Sequence, residues 1–295
     1  MKKIIILIVI SLVVFTCKDA VNGAKDGLKD GAIKAIGKSA KKSGVKLHVF
    51  SGGKIIVNNL ELFSQDTTYH GQSKTFADAF YVIQHPKGNL MWDAGLPENL
   101  IGQKPYTDPS GAFTVSRKDS VVNQLKSIGL KISDFKYFAL SHNHFDHIGH
   151  ANTMKDATWL VQENEYNFFR SDIAKEKHAE LYNGIKDLTN PKKINGDYDV
   201  FGDETVIIKY APGHTIGHQT LYLNIGLEKP VILVGDLYHF EENRMNKGVP
   251  IFNHNVENTL KSMEVIEQFA KEKGAEIIIQ HSPKDFDKLK KMVSK

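Results

Sequence analysis

The chain has 295 residues, of which 41% are hydrophobic and 24% are charged, so it can form a sizeable core and is not a disordered protein. Its formal net charge of +4 is concentrated in the first 44 residues, which are rich in lysine, and the rest of the chain is slightly acidic. This distribution argues against a nucleic-acid-binding protein, in which Lys and Arg would be spread over the folded domain.

The first 17 residues predict a secretory signal. Lys2 and Lys3 precede an apolar run over residues 4–15, which is shorter than the about 20 residues that a membrane-spanning helix needs. The single cysteine, Cys17, stands where bacterial lipoproteins carry their lipid-attachment cysteine, and its being single excludes a disulfide within the chain. We expect an exported protein: a periplasmic protein, a lipoprotein anchored to the outer membrane, or a secreted one.

Residues 18–44 predict a tether between this signal and the folded part. They are rich in Lys, Gly and Ala, and they have few large apolar side chains with which to build a core. Their lysines could contact an anionic membrane surface, although a solvated spacer is favoured. We place the folded domain at residues 45–295.

Strands and helices alternate in two similar halves of this domain. Residues 46–50 and 54–58 alternate about Gly52 and Gly53, which indicates a β-hairpin. The other predicted strands are 80–84, 89–92, 137–140, 159–161, 205–210, 220–224, 231–234 and 276–279. The predicted helices are 121–129, 163–188, 256–269 and 284–293. This order favours an α/β fold in one domain, an αββα sandwich of two mixed β-sheets flanked by helices.

The densest group of potential ligands follows the predicted strand 137–140. It has the pattern His142-x-His144-x-Asp146-His147, and histidine and aspartate are both good ligands for zinc-like metals. Functional side chains are often presented on the loop after a core strand. The pattern therefore predicts a metal site on this loop.

Three other predicted strands also run into a histidine or an aspartate, namely His214, Asp236 and His281. A sheet sandwich can bring such strand ends to one edge, so we expect these side chains to join the cluster. His150 and His218 lie beside the same loops and are expected to be structural. Five histidines and two aspartates suit two ions, for which zinc is the first choice and other divalent metals are alternatives.

These residues carry a resemblance to a known family. The His142-to-His147 run, with His214, Asp236 and His281 at these separations, resembles the metallo-β-lactamase superfamily. Over residues 46–290 the chain is most similar to the N-acyl homoserine lactonases. The matching stretches are Leu90–Glu98, Ser141–Gly149, Val161–Tyr166, Gly196–Tyr198 and Ala211–Gln219.

The resemblance implies two metal sites that share one carboxylate. The implied ligands are His142, His144 and His214 for one ion, Asp146, His147 and His281 for the other, and Asp236 between them. It further implies that a hydroxide bridging the two metals attacks the lactone carbonyl, after which Asp146 protonates the leaving alkoxide. The product would be the ring-opened N-acyl homoserine.

The chain departs from the lactonase pattern beside the bridging carboxylate. Such lactonases commonly have a tyrosine three residues after this aspartate, where this chain has His239, preceded by Tyr238. The sequence leaves open whether His239, Tyr238 or neither of them donates a hydrogen bond to the substrate carbonyl. Phe145, Ile251 and Phe252 are expected to bind the substrate by lining an acyl channel.

Three readings of function remain open from the residues. The leading one is an exported dinuclear lactonase that acts on a small-molecule substrate, as a monomer or a dimer. Another is a different hydrolase of the same fold, either a thioesterase of the glyoxalase II type or a broad-range lactonase. The third is a tethered metal-binding protein without catalysis, which the complete set of seven ligand-type residues disfavours.

Overall fold

The computed structural model describes residues 44–294. The predicted signal, Cys17 and all of the predicted tether except Gly44 lie outside the described residues. Within residues 44–294, no helix combines the length and the apolar composition that crossing a membrane requires.

The first sheet has eight strands. They are β1 (Lys46–Val57), β2 (Lys74–Gln84), β3 (Asn89–Trp92), β4 (Tyr106–Thr107), β5 (Phe113–Ser116), β6 (Phe135–Ala139), β7 (Thr158–Gln162) and β8 (Pro191–Ile194). Their order across the sheet is β4-β5-β1-β2-β3-β6-β7-β8. Strands β3, β6, β7 and β8 run parallel, and the other neighbours pair antiparallel.

The second sheet has five strands. They are β9 (Tyr198–Asp199), β10 (Val206–Tyr210), β11 (Gln219–Leu223), β12 (Val231–Leu233) and β13 (Glu276–Ile278), in the spatial order β13-β12-β11-β10-β9. β11 is antiparallel to both β10 and β12, and β13 is parallel to β12. Strands β10, β12 and β13 therefore all end at the same edge of this sheet.

Helices lie between and after the strands. They are α1 (Val121–Lys126), α2 (Glu163–Phe169), α3 (Asp172–Lys177), α4 (Ala179–Ile185), α5 (Glu241–Met245), α6 (Val256–Lys273) and α7 (Pro283–Val293). Short 3₁₀ turns occupy Leu60–Phe63, Glu98–Leu100, Ile132–Asp134, Ala151–Met154 and Gly235–Leu237.

Alternation along the strands builds two apolar layers on the first sheet. On β2, Ala79, Tyr81 and Ile83 face the core between the sheets, while Phe80 and Val82 face the outer layer formed with α1 to α4. Successive strand side chains point to opposite faces, so burial on both faces requires an unbroken apolar run. The run 79–83 meets this requirement.

The second sheet is covered in the same way. Leu221 and Leu233 face the core between the sheets, and Ile232 faces α6, which contributes Met263 and Ile266. The predicted αββα sandwich is thereby confirmed, because both sheets pack on each other and carry helices on their outer faces.

The predicted hairpin at residues 46–58 is wrong. β1 continues through Ser51 and Gly53 with only a shift of register against β2. The glycines serve a close approach instead of a turn, because a Cβ on Gly52 would lie 2.6 Å from the Cα of Gly95. Glycine between two alternating runs signals either arrangement, and the sequence pattern does not separate them.

The predicted helix 163–188 is also corrected. The structure divides this region into α2, α3 and α4. The first segment ends at Phe169, and Ser171 caps the second, since its side chain accepts a hydrogen bond from the Ala174 N–H. The predicted long helix after residue 256 is confirmed as α6, which ends at Gly274 with a φ of 60°.

Candidate metal centre

Four strand ends bring all seven predicted ligands to one edge of the sandwich. β6 leads into residues 141–150, β10 into the loop of His214, β12 into the turn of Asp236, and β13 into His281. Within each of two groups, the potential donor atoms lie within 4.8 Å of one another. The first donor group is His142, His144, His214 and Asp236, and the second donor group is Asp146, His147 and His281.

The spacing of the first group fits a metal ion. His144 Nδ1 lies 2.9 Å from His142 Nε2 and 3.0 Å from His214 Nε2. A ring nitrogen carries either one proton or one lone pair, so it cannot satisfy two imidazoles at once. Ligands at the Zn–N distance in a tetrahedron lie about 3.3 Å apart. The three nitrogens are thus placed as ligands around a common centre.

Asp236 lies between the two groups and faces both. Its Oδ1 is 3.2 Å from His147 Nε2 and 3.0 Å from His281 Nε2. Its Oδ2 is 3.3 Å from His214 Nε2 and 3.6 Å from His142 Nε2. One carboxylate oxygen is therefore available to each group, which suits a bridging ligand between two metal ions.

Asp93 orients His147 of the second donor group. Its Oδ2 is 3.1 Å from His147 Nδ1 and accepts hydrogen bonds from Ser141 Oγ at 2.9 Å and Gln280 Nε2 at 2.9 Å. Its Oδ1 accepts from the Ser141 N–H. A carboxylate on Nδ1 fixes the ring and leaves Nε2 free to bind a metal. His147 Nε2 is indeed buried without a hydrogen-bond partner in the described structure.

Backbone carbonyls orient two further histidines. His281 Nδ1 donates to the Ala77 carbonyl at 2.8 Å, which leaves its Nε2 toward Asp236. His218 Nδ1 donates to the Ala211 carbonyl at 3.0 Å, while its Nε2 accepts from the Asp236 N–H at 3.1 Å. Burial lowers the pKa of His218 to about 3, so its ring is neutral. His218 positions the backbone of Asp236 and joins neither donor group, as expected.

His150 likewise supports a loop. Its Nδ1 lies 3.1 Å from a carboxylate oxygen of Glu98, which also accepts a hydrogen bond from the Val121 N–H. These contacts tie the end of the His-rich loop to the start of α1. His150 thus lies where the expected structural role places it, and it belongs to neither donor group.

Burial and neighbouring charges give the two groups different protonation. Burial lowers the pKa of His142 and of His144 well below the ordinary histidine value, so their lone pairs are free. Burial also opposes a charge on His281, but the Asp236 carboxylate raises its pKa to about 9. A bound cation would replace this proton, since metal ligands bind in their deprotonated form.

Glu165 joins the two histidine-bearing loops. One of its carboxylate oxygens accepts from the Gly217 N–H at 2.7 Å and the other from the Asn143 N–H at 3.3 Å. Asn143 lies between two potential ligands, and Gly217 follows the third. Burial raises the pKa of Glu165 to about 7. This carboxyl therefore fixes the two loops that carry the first donor group relative to each other.

An apolar cleft of about 170 Å³ opens onto Asp146 and Asp236. Phe145 and Phe252 line it, as predicted. The prediction for Ile251 is wrong, because its side chain is 59% exposed and lies outside the cleft. The other apolar wall residues are Ile55, Phe63, Phe76 and Phe113.

The structure separates the two candidates beside Asp236. The Tyr238 hydroxyl donates to Glu267 at 3.1 Å, and its ring packs against α6, so the prediction that places it at the substrate is wrong. His239 lines the cleft, and its Nε2 lies 3.1 Å from Asp236 Oδ2. Tyr238 is in an extended conformation, which directs adjacent side chains to opposite sides.

Sequence reasoning missed several residues that complete the centre. Asp93, Glu165 and Gln280 are buried polar groups whose bonds reach the ligand loops. Phe63 and Phe76 come from segments far from the His-rich loop in sequence. The one available signal was Asp93 itself, an aspartate directly after a buried strand and before a glycine.

Comparisons with known proteins agree with this geometry. The family model described as the metallo-beta-lactamase superfamily matches residues 77–281, more than half of the chain. The N-acyl homoserine lactonase AttM of Rhizobium radiobacter is 28% identical, in a match that covers 84% of this chain and 97% of the relative. The N-acyl homoserine lactonase AiiA of Bacillus thuringiensis subsp. kurstaki is 28% identical over 68% of this chain and 79% of the relative.

A solved structure is similar over most of the described fold. It is that of an N-acyl homoserine lactone hydrolase with the product N-hexanoyl-L-homoserine bound at its catalytic metal centre. The two chains are 25% identical with a TM-score of 0.69, and the match covers 82% of this chain and 95% of the other. On the strength of the family match, together with the sandwich and its paired donor groups, the chain belongs to the metallo-β-lactamase superfamily.

Proposed function

We propose that this chain is a metal-dependent hydrolase that opens the lactone ring of N-acyl homoserine lactones and so quenches bacterial signalling. The observation that carries the proposal is the position of Asp236, whose two oxygens face two donor groups at the floor of a phenylalanine-lined cleft. The similarity to lactonases over 84% of the chain supports this choice of substrate.

The site would hold two divalent ions, with zinc as the first choice. The donors are imidazole nitrogens and carboxylate oxygens without a thiolate, a set that zinc, iron, cobalt and manganese accept. When bound, the ions supply a deprotonated water near neutral pH and a Lewis acid for the carbonyl oxygen. The first group and the second group would each hold one ion, with Asp236 shared.

Asp146 is the proposed proton donor to the leaving alkoxide. Its carboxyl lines the cleft, and its side chain is 10% exposed. Its oxygens lie 3.6 Å from His281 Nε2 and 3.8 Å from His147 Nε2, so it is held at the metal edge while it faces the substrate. Asp146 would take the proton of the hydroxyl that has added to the carbonyl and pass it to the ring oxygen of the lactone as the carbon–oxygen bond breaks.

The cleft would bind the acyl chain. Phe145 and Phe252 belong to a wall of aromatic and aliphatic side chains that has few polar atoms. Such a wall gains free energy when it covers an alkyl chain, and it excludes water from the reacting carbonyl. The polar floor then orients the lactone toward Asp146 and Asp236.

A comparison of two substrate classes tests the proposal. The purified, metal-loaded protein is incubated separately with a series of N-acyl homoserine lactones and with a glutathione thioester, and acid release is followed. We expect lactone opening at a higher kcat/KM than thioester cleavage. Rapid thioester cleavage without lactone opening would identify a thioesterase instead.

A variant ties the activity to the proposed centre. Asp236→Ala should lose bound metal and lactone opening together, while Asp119→Ala, an exposed aspartate, should keep both. Metal content is measured by elemental analysis of the same samples. Loss of metal with unchanged turnover would contradict the proposed mechanism.

We also propose that the protein is exported, on the basis of Lys2, Lys3 and the apolar run 4–15. Cys17 then offers a point of lipid attachment to a membrane. Mass spectrometry of the mature N-terminus distinguishes a lipidated Cys17 from simple cleavage. A mature protein that retains residues 1–17 would refute export through this signal.

A further inference from the structure

His239 is a buried histidine whose ring has no hydrogen-bond partner. It is 2% exposed, and among residues 44–294 neither Nδ1 nor Nε2 makes a hydrogen bond of acceptable geometry. Burying an imidazole without a partner is unfavourable, because its contacts with water are lost and not replaced. The position of this ring therefore calls for a ligand.

The ring approaches Asp236 in the same manner as a proposed metal ligand. His239 Nε2 lies 3.1 Å from Asp236 Oδ2, and His147 Nε2 lies 3.2 Å from Asp236 Oδ1. Both distances are short enough for a hydrogen bond, yet neither nitrogen is aligned to make one. The two nitrogens are thus directed beside the carboxylate, where an ion would lie.

Packing holds His239 on the side of the first donor group. Its ring centroid lies 5.3 Å from that of His214 and 4.8 Å from that of Phe63, which meets it edge to face. The ring also lies parallel to that of His281 at 6.1 Å. These ring contacts fix the orientation of His239, as Asp93 fixes the orientation of His147.

We infer that His239 is an eighth protein ligand of the metal centre, and that its Nε2 binds the ion on the Oδ2 side of Asp236. This inference rests on the metal centre proposed above. That ion would then have four imidazoles beside it, from His142, His144, His214 and His239. A further neutral donor strengthens metal binding and leaves fewer positions for water or substrate.

Cobalt spectroscopy on the full-length protein tests this assignment. Wild type, His239→Phe and His239→Gln are loaded with Co²⁺, and their visible absorption and Co²⁺ affinity are measured by competition with a chelator. We expect both variants to bind one of the two ions at least about tenfold more weakly. The absorption of that ion should change, because the number and type of its ligands change.

His70→Gln is the matched control, since His70 is an exposed histidine that does not line the cleft. Its cobalt spectrum and affinity should equal those of wild type. Circular dichroism checks that each variant is folded. If His239→Phe is not folded, the result for His239→Gln decides, because Gln is the smaller change.

Two results would overturn the inference and are distinguishable. A folded His239→Gln protein with wild-type cobalt affinity and spectrum, but slower lactone opening, would make His239 a donor to the substrate. A wild-type protein that binds fewer than two Co²⁺ ions would instead refute the metal centre itself.

Discussion

Single residues around the donor groups decide how well the centre is prepared for a metal. Asp93 has a φ of 60°, in the left-handed region that aspartate and asparagine tolerate better than most residues. This conformation aims both of its oxygens at Ser141, Gln280 and His147. Its charge fixes the ring of His147 and offsets the cation that the site would hold.

Asp93→Asn should weaken metal binding by about 10–100-fold. Asparagine keeps the backbone conformation, but its amide group replaces one of the two acceptor oxygens. Competition with a chelator measures the affinity. Asp119→Asn, an exposed aspartate that accepts bonds at the start of α1, serves as the control and should bind metal as wild type does. Equal affinities in all three proteins would rule out this role.

Glu165 gives a pH-dependent prediction. Burial raises the pKa of its carboxyl from 4.5 to about 7, so the folded protein holds this proton more tightly than the unfolded chain does. The stability that it contributes relative to Gln is therefore present below pH 4.5 and is lost as the pH rises to about 7.

The free energy of unfolding of wild type and Glu165→Gln should be compared across this range. The free energy of unfolding of wild type minus that of Glu165→Gln should fall as the pH rises from about 4.5 to about 7 and then stay constant. Glu163→Gln changes an exposed glutamate of the same helix and should show no such trend. A difference that grows with pH would contradict the burial argument.

Between elements, close backbone contacts lock the His-rich loop to the end of β3. Gly149 donates its N–H to the Gly95 carbonyl at 2.7 Å, and a Cβ at Gly149 would lie 2.1 Å from the Leu96 carbonyl oxygen. Gly95 in turn abuts Gly52 of β1. Three segments thus meet where side chains do not fit, and the loop that carries the donors gains a fixed position.

Gly149→Ala should therefore destabilise the fold by more than about 2 kcal/mol, since backbone atoms must move to admit the methyl group. Gly129→Ala is the control, because that glycine has a φ of 75° and open space around it, so only backbone strain of about 1 kcal/mol is expected. Denaturant unfolding gives both values. Equal losses would show that the contact at residue 149 relaxes cheaply.

Across the whole molecule, the donor groups join the two sheets. The first sheet supplies His142 to His147, and the second supplies His214, Asp236 and His281. An ion held by both sheets binds the folded state and not the unfolded one, so it stabilises the sandwich by mass action.

Removal of metal should accordingly lower the melting temperature, and adding back Zn²⁺ should raise it in a concentration-dependent way. At 1,000 times the dissociation constant the gain is about 4 kcal/mol. Calorimetry measures the shift. Asp236→Ala should show little response to Zn²⁺, and a response equal to that of wild type would place the stabilising metal elsewhere.

Local patterns were sufficient for much of this architecture. Apolar runs and turn residues predicted most strands, and histidine and aspartate at strand ends predicted the seven donors that the structure brings together. These features depend on neighbours along the chain, so periodicity and ligand chemistry reveal them. The same patterns failed at Gly52 and Gly53, because a glycine pair serves a turn and a close backbone contact equally well.

The sequence by itself determined the fold class and the chemical type of the centre. Only the tertiary structure decided which of two adjacent side chains faces the cleft. Tyr238 turns to Glu267 and His239 to Asp236, while Phe252 lines the cleft and Ile251 does not. Such choices depend on partners distant in sequence, and no local signal records them. Asp93, far from Gln280 in sequence, became part of the site for the same reason.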